Sequence, residues 1–248
     1  MEKAGHLVGV VAGHPSLAIR FFDACVREGR GLSSKTRLEM MDEWMPGLLN
    51  LKKTGEEEAM VALSRTVIQL KDNGAQAVAL VGDLSPSLLR RLRFVFSIPI
   101  FALSDFAVEQ ISLAHPRPNR VGLLTPLEAQ AEFYCSILAP AGIDGVRLPA
   151  TLAAELGKVV ADYEGFQGTG KERVCRWVMA SLDYFIGAGV ELVLVASKHI
   201  PPLEIRSGSL PFPLFQPIER LAKAMICQLL EQTPADLPET SRSLERTD

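Results

Sequence analysis

Two segments of the chain, separated by an offset of roughly 110 to 115 positions, share one pattern of residues. "VGVVAGHPSLAIRFFDACVREG" and "VGLLTPLEAQAEFYCSILAPAG" each combine a strand-like start, a turn, a helical pattern with an aromatic pair and a closing glycine. "GAQAVALVGDLSP" and "GVELVLVASKHIP" match at a similar offset. This internal repeat restricts the possible folds strongly, because it predicts two lobes of similar architecture.

Apolar runs alternate with helical patterns along the chain, which is typical of β-α-β units and a parallel sheet. The predicted strands are 7–12, 36–41, 77–81, 98–103, 121–124 and 192–196, and the predicted helices are 17–27, 56–73, 86–96, 127–138, 172–188 and 217–232. The expected fold class is therefore α/β, with two pseudo-symmetric lobes. We expect each lobe to be a parallel sheet flanked by helices, and a ligand to bind in the cleft between the lobes.

The boundary between the lobes is expected near "AHPRPNR", where Pro116 and Pro118 interrupt both helix and strand patterns. This gives a first lobe over residues 1–116 and a second lobe over residues 117–232. The sequence leaves open whether the last helix, 217–232, packs back on the first lobe. Residues 233–248 are polar and lack an apolar period, so we expect a disordered tail.

Composition argues against several classes of protein. The net charge is -3 and the pI is near 5.9, without a stripe of Lys and Arg, so we do not expect a nucleic-acid partner. The apolar run near the N-terminus soon reaches His14 and Pro15, which predicts neither a signal peptide nor a membrane span and favours the cytoplasm. The four cysteines and four histidines lack metal-ligand spacing, so we expect free thiols, no metal site and no cofactor.

Polar residues follow two predicted strands at the edge where ligands gather in parallel sheets. Ser197, Lys198 and His199 follow the strand 192–196, and Asp83 follows the strand 77–81. Histidine, or a lysine shielded from water, suits proton transfer near neutral pH. Polar residues at strand ends are also common in ordinary turns, and Asp83 could serve only to begin the next helix. We therefore treat all four residues as candidate catalytic groups.

The predicted helix starts provide candidate groups for binding a carboxylate. The turn before the first helix contains His14 and Ser16, Ser85 precedes Pro86, and Thr125 precedes Pro126. Free backbone amides at a helix N-terminus attract anions, so these four polar residues are candidate substrate-binding groups. Each could equally be a helix cap.

One stretch resembles a phosphate-binding loop without satisfying its chemistry. "GFQGTGKE", residues 165–172, has Glu172 where the loop needs a hydroxyl for magnesium, and the residues before it have a helical pattern. We therefore do not expect nucleotide binding.

Several of these stretches together resemble the aspartate/glutamate racemase superfamily. "VGVVAGHPSLAIRFF" is similar to its opening strand and turn, and "MDEWMPGLLNLKKTGEEEAM" to its segment after the second strand. "NRVGLLTPLEAQAEFY" is similar to the start of its second lobe, "GVELVLVASKHIPPL" to its Gly-Cys-Thr-Glu-Ile-Pro segment, and "FQPIERLAKAMI" to its last helix. The resemblance spans nearly the whole chain through Gln232 and implies two lobes, a small-carboxylate substrate and, commonly, a homodimer.

The resemblance fails at the two cysteines that the family uses. Its Cys-Asn-Thr falls on Gly82, Asp83 and Leu84, and its Cys-Thr-Glu falls on Ser197, Lys198 and His199. A two-cysteine racemase needs one thiolate to remove the α-proton and a thiol on the opposite face to return one. The leading hypothesis is therefore a cofactor-independent isomerase or lyase that acts on a small carboxylate or amino acid by acid/base chemistry. The alternative is a catalytically silent relative that binds a small acid or has a regulatory role.

Overall fold

The computed structural model describes residues 5–29, 37–44, 55–165, 171–197, 200 and 210–231. Within these ranges the strands are β1 (Gly5–Ala12), β2 (Arg37–Trp44), β3 (Ala77–Val81), β4 (Ile100–Ala102), β5 (Arg120–Leu124), β6 (Asp144–Arg147), β7 (Leu192–Val195) and β8 (Leu214–Phe215). The helices are α1 (Pro15–Gly29), α2 (Glu56–Asp72), α3 (Pro86–Val95), α4 (Leu103–Ser112), α5 (Glu128–Leu138), α6 (Ala150–Gly165), α7 (Lys171–Gly187) and α8 (Pro217–Glu231), with a 3₁₀ turn at Ala139–Ala141.

The strands form two parallel sheets with the same topology. The first sheet has the order β2-β1-β3-β4, and the second has the order β6-β5-β7-β8. Each strand of the first sheet therefore has a counterpart in the second, which confirms the predicted α/β class with two pseudo-symmetric lobes. In both sheets the first and third strands of the lobe lie at the centre, and the second and fourth lie at the two edges, as expected for a duplicated unit.

Two matched glycines show how closely the repeat is kept. Gly9 lies in β1 opposite Val78 of β3, and Gly122 lies in β5 opposite Val193 of β7. A Cβ atom on Gly9 would lie 2.7 Å from a methyl carbon of Leu70, and one on Gly122 would lie 2.8 Å from the ring of Phe185. In both lobes the helix before the third strand thus packs directly on the backbone of the central strand.

Helices cover both faces of each sheet. Two helices, α4 and α8, connect the lobes, because each packs on the sheet of the lobe that its preceding strand does not belong to. Side chains of α1 and α8 cover one face of the first sheet, and side chains of α2 and α3 cover the other. The second sheet is covered by α6 and α7 on one face and by α5 on the other. Ala107 and Ile111 of α4 pack with α5 on the second sheet, although α4 directly follows β4 of the first.

The structure adds three elements that the sequence patterns did not predict. Helix α4 begins at Leu103, directly after β4, so its first apolar residue reads as part of the strand. Strand β6 is half exposed, and β8 has only two residues, so neither has a long apolar run.

None of the helices in the described ranges is long and apolar enough to cross a membrane. The predicted tail, 233–248, lies outside the described residues.

Candidate functional site

The turn that follows β3 carries the candidate carboxylate Asp83. Together with Val11 in β1 and Gly13 after it, the residues from Leu80 to Leu84 line a small, shallow cleft that opens to solvent. Asp83 and Gly82 are partly exposed there, whereas Leu84 is buried. The carboxylate therefore lies at the carboxyl edge of the first sheet, where ligands bind in folds of this kind.

Two serines fix the backbone of this turn. The Ser104 hydroxyl, at the start of α4, donates to the carbonyl of Leu84 at 3.2 Å and accepts from the Leu84 N–H at 3.4 Å. Ser85 caps α3, since its side-chain oxygen accepts from the backbone N–H of Leu88 at 3.3 Å. The Ser85 hydroxyl also donates to Glu56 at 3.0 Å. Ser104 holds the residue after Asp83, and no sequence signal pointed to it, because α4 was not predicted.

Asp83 is bound from the second lobe through both of its carboxylate oxygens. The Tyr134 hydroxyl donates to Oδ1 at 2.9 Å, and the Gln130 amide Nε2 donates to Oδ2 at 2.7 Å. Gln130 and Tyr134 are four residues apart on α5, so both project from one face of that helix. The strand end of the first lobe is thus joined to a helix of the second by two hydrogen bonds to a carboxylate.

Thr125 determines which way the Gln130 amide points. The Thr125 hydroxyl donates to Gln130 Oε1 at 2.7 Å and accepts from the backbone N–H of Leu127 at 3.2 Å. With its carbonyl oxygen held by Thr125, the Gln130 amide presents its N–H group to Asp83. Thr125 therefore acts at the start of α5 and also in a chain of hydrogen bonds that ends at the candidate carboxylate.

Tyr134 supports this arrangement from inside the second lobe. Its side chain is 0% exposed and packs in the core between α5 and the second sheet. Burial, followed by the nearby charge of Asp83, raises the pKa of the Tyr134 hydroxyl well above its usual value of 10.0. The phenol therefore remains protonated, and remains a hydrogen-bond donor, throughout the neutral range.

The matching strand end in the second lobe carries Ser197. Ser197 is 2% exposed, and its carbonyl accepts a hydrogen bond from the Ile200 N–H at 3.4 Å. Its neighbour Ala196 is joined to β5 through the carbonyl of Leu124 at 3.2 Å. Lys198 and His199 lie outside the described residues. The structure thus places Asp83 and Ser197 at equivalent strand ends of the two sheets.

His14 and Ser16 form the start of α1. The ring nitrogen Nδ1 of His14 accepts from the backbone N–H of Ser16 at 3.2 Å and lies 2.8 Å from the Ser16 hydroxyl oxygen. The His14 carbonyl accepts from the N–H of Leu17, so His14 caps the helix with both backbone and side chain.

Solved structures of low sequence identity have the same architecture. An aspartate racemase homologue from Pyrococcus horikoshii OT3 matches with a TM-score of 0.71 at 19% identity, over 91% of this chain and 99% of that one. The aspartate racemase of Picrophilus torridus matches with a TM-score of 0.66 at 14% identity, over 90% and 94%. The maleate isomerase Iso from Pseudomonas putida S16 matches with a TM-score of 0.56 at 12% identity, over 92% and 94%.

The chain has the aspartate/glutamate racemase fold. This confirms the fold that the sequence resemblance implied. No protein-family model matches the chain, and no curated protein sequence matches it.

The cysteines of this racemase-fold protein lie on helices. Cys25 is on α1, Cys135 on α5, Cys175 on α7 and Cys227 on α8, and all four are free thiols. Burial, with a smaller contribution from the charge of Glu28, raises the pKa of Cys25 to about 12. Gly82 follows β3 and Ser197 follows β7, and neither residue has a cysteine next to it in the sequence. Across the described ranges, no cluster of three or more His, Cys, Asp or Glu side chains could hold a metal ion.

Proposed function

We propose that this protein is a cofactor-independent isomerase or lyase that acts on a small carboxylate or amino acid by acid/base chemistry, without a cysteine pair. The observation that carries the proposal is the position of Asp83. Its carboxylate lines the cleft at the end of β3 and is oriented by Tyr134 and Gln130 from the other lobe. A charged group held in one geometry at a strand end is the kind of group that acid/base catalysis requires.

Asp83 supplies a fixed negative charge on the side of the cleft formed by the first lobe. Two hydrogen-bond donors favour the charged form of a carboxylate. Gly82 beside it has no side chain, which leaves space for a substrate to approach. We propose that Asp83 binds the ammonium group of an amino acid or accepts a proton from a bound acid.

We propose that the Ser197-Lys198-His199 stretch supplies the group that delivers a proton. The assignment of Lys198 and His199 rests on their place in the sequence directly after Ser197, at the end of the strand that matches β3. Histidine changes protonation near neutral pH, and a lysine shielded from water can do the same. Ser197 requires a neighbouring base to become a nucleophile.

The structural neighbours support a small acid as the ligand class. Besides the aspartate racemase, the aspartate racemase homologue and the maleate isomerase, they include a glutamate racemase from Francisella tularensis in complex with D-glutamate. From the sequence resemblance, which puts Gly82 and Ser197 where the family has cysteines, we propose that the ligand class is kept and the two-thiol chemistry is not. A homodimer is also proposed, from the resemblance alone.

A catalytically silent small-acid-binding or regulatory protein is the second candidate. It is favoured by the hydrogen bonds of Ser16, Ser85 and Thr125, whose hydroxyl groups all contact other groups of the same chain. Side chains that are needed for capping and for internal contacts would leave the cleft with fewer groups for a substrate.

A thermal-shift screen followed by turnover assays tests the proposal. We expect an amino acid, a dicarboxylate or an arylmalonate at one hundred times its dissociation constant to stabilise the protein by about 2.7 kcal/mol. With that ligand, we expect release of carbon dioxide or uptake of solvent deuterium, and loss of the signal in Asp83→Ala. Binding without either signal would favour the silent candidate, and no binding by any acid would contradict both.

A further inference from the structure

A directed chain of hydrogen bonds runs from the start of α5 to Asp83. The backbone N–H of Leu127 donates to the Thr125 hydroxyl at 3.2 Å, and that hydroxyl donates to Gln130 Oε1 at 2.7 Å. The Gln130 amide Nε2 then donates to Asp83 Oδ2 at 2.7 Å. Every donor in the chain points the same way, from the second lobe towards the carboxylate of the first.

The chemistry of the two ends allows only this direction. An ionised carboxylate accepts hydrogen bonds and cannot donate them, so Gln130 must present its NH₂ group, and not its carbonyl, to Asp83. The Thr125 hydroxyl has a single proton, and because its oxygen accepts from the N–H of Leu127, that proton is directed to the Gln130 carbonyl. Hydrogen bonds in such a chain polarise and strengthen one another. The Gln130 amide is therefore held at both of its ends.

Thr125 and Gln130 do not themselves form the wall of the cleft. Neither is among the described residues that line the cleft beside Asp83. Thr125 is 3% exposed, and Gln130 is partly buried. A hydroxyl shielded in this way serves contacts within its own chain, which argues against the substrate-binding role that the place of Thr125 before α5 suggested. What these two side chains can control is the direction of the Asp83 carboxylate.

We infer that Thr125 and Gln130 are positioning residues that act through Asp83: Thr125 orients the Gln130 amide, and Gln130 orients the Asp83 carboxylate. The inference rests on the proposed function. A carboxylate group rotates easily about its bond to Cβ, so one contact leaves its direction open and two contacts fix it. Tyr134 anchors Oδ1 from the core of the second lobe, and Gln130 sets the rotation of the carboxylate about that anchor.

The first test measures the Gln130 side-chain amide by NMR and requires no substrate. In ¹⁵N-labelled protein, Gln130→Met identifies the signal, since it is the one that this variant lacks. Because the amide donates to a charged acceptor, Asp83→Ala should accelerate its hydrogen exchange by about 10- to 100-fold. Thr125→Val removes the hydroxyl that holds the amide carbonyl and should accelerate exchange by about 10-fold, whereas Thr125→Ser keeps the hydroxyl and should stay within about twofold.

Ser136→Ala is the matched control. Ser136 lies on α5, is exposed, and its hydroxyl donates to the carbonyl of Phe133 on the same helix at 2.6 Å. Its removal should leave Gln130 exchange within about twofold of the native rate, since substitutions at exposed positions have small effects. Unchanged exchange in folded Asp83→Ala would overturn the inference, and unchanged exchange in folded Thr125→Val would overturn the role of Thr125.

The second test measures turnover of an acid from the panel above by Gln130→Met. Tyr134 still holds one oxygen of Asp83 in this variant, so the carboxylate stays in place but rotates more freely. Misplacement of a reacting group by about 1 Å can cost about 100-fold in rate, so we expect kcat/KM to fall by about 10- to 100-fold. The loss falls on kcat if Asp83 accepts a proton, and it appears as a higher KM if Asp83 binds an ammonium group.

The Thr125 variants complete this test. Thr125→Ser should keep kcat/KM within about threefold of the native value, because the hydroxyl is retained, and Thr125→Val should share the loss. A merely stabilising role would change neither kcat nor KM in a variant that is folded at the assay temperature. Unchanged kcat and KM in folded Gln130→Met would contradict the inference. Absence of turnover in the native protein would overturn the proposed function and this role with it, whereas the exchange experiment separately decides whether Thr125 and Asp83 hold the amide.

Discussion

Replacing Tyr134 by phenylalanine tests the connection between the lobes with a minimal change. The substitution removes the hydroxyl that donates to Asp83 Oδ1 at 2.9 Å, while the ring can stay in the core of the second lobe. A hydrogen bond to a charged group contributes about 1.5–3 kcal/mol. Asp83 is only partly buried and retains its bond from Gln130, so water can replace part of the loss. We expect the free energy of unfolding to fall by about 1.5–2 kcal/mol.

Urea denaturation at pH 7 measures this loss, and Tyr184→Phe is the matched control. Tyr184 lies on α7 of the same lobe, is partly buried, and its hydroxyl makes no hydrogen bond to another described residue. The control should change the free energy of unfolding by no more than about 0.5 kcal/mol. If Tyr134→Phe costs no more than Tyr184→Phe, then the bond to Asp83 does not hold the lobes together and our account of the site is wrong.

The same variant should alter the alkaline limit of stability. Because the pKa of Tyr134 is raised by burial and by Asp83, the folded protein keeps the phenol proton at a pH where the unfolded chain has lost it. The stabilisation is fully present below pH 10 and declines as the pH rises further. Tyr134→Phe should therefore show a shallower loss of stability above about pH 10 than the native protein.

Two further predictions concern the packing of the lobes. Gly9→Ala and Gly122→Ala should each lower the free energy of unfolding by about 1–3 kcal/mol, because the added methyl group overlaps a packed side chain. The control Gly187→Ala, with nothing within 4 Å of the new carbon, should be neutral or stabilise by up to about 1 kcal/mol. The Cys25 thiol, with its pKa raised from 9.0 to about 12, should contribute up to about 4 kcal/mol that is lost as the pH rises through this range. Denaturation of Cys25→Ala from pH 8 to 12 should therefore show a smaller alkaline loss, and an equal loss would contradict the raised pKa.

The two-lobed fold could be predicted because its central strands are strongly patterned. β1, β3, β5 and β7 lie between helices on both faces, so their sequences are nearly continuous apolar runs. Edge strands carry less signal, since β6 is half exposed and β8 has two residues between prolines. Helix α4 was missed because no turn residue separates it from β4.

The candidate site could be predicted only as far as its strand ends. Asp83 and Ser197 follow recognisable strands, and of the two roles that the sequence left open for Ser85 the structure shows the helix cap of α3. The residues that hold Asp83 lie 47 and 51 positions away, on a helix of the other lobe. Their partnership depends on how the two lobes pack together, and a helical pattern does not show which polar residues face across an interface.

The stereochemistry of deuterium uptake tests the central claim most directly. An acid that stabilises the protein is incubated with it in D₂O, and the product is examined by mass spectrometry and chiral chromatography, with L-aspartate and L-glutamate run in parallel. Because our account assigns delivery of the proton to the Ser197-Lys198-His199 stretch alone and contains no thiol pair to return one to the opposite face, it predicts deuterium delivered to one face only, with a single enantiomer formed and no D-aspartate or D-glutamate. Formation of both enantiomers, or the absence of exchange with every acid that binds, would contradict it.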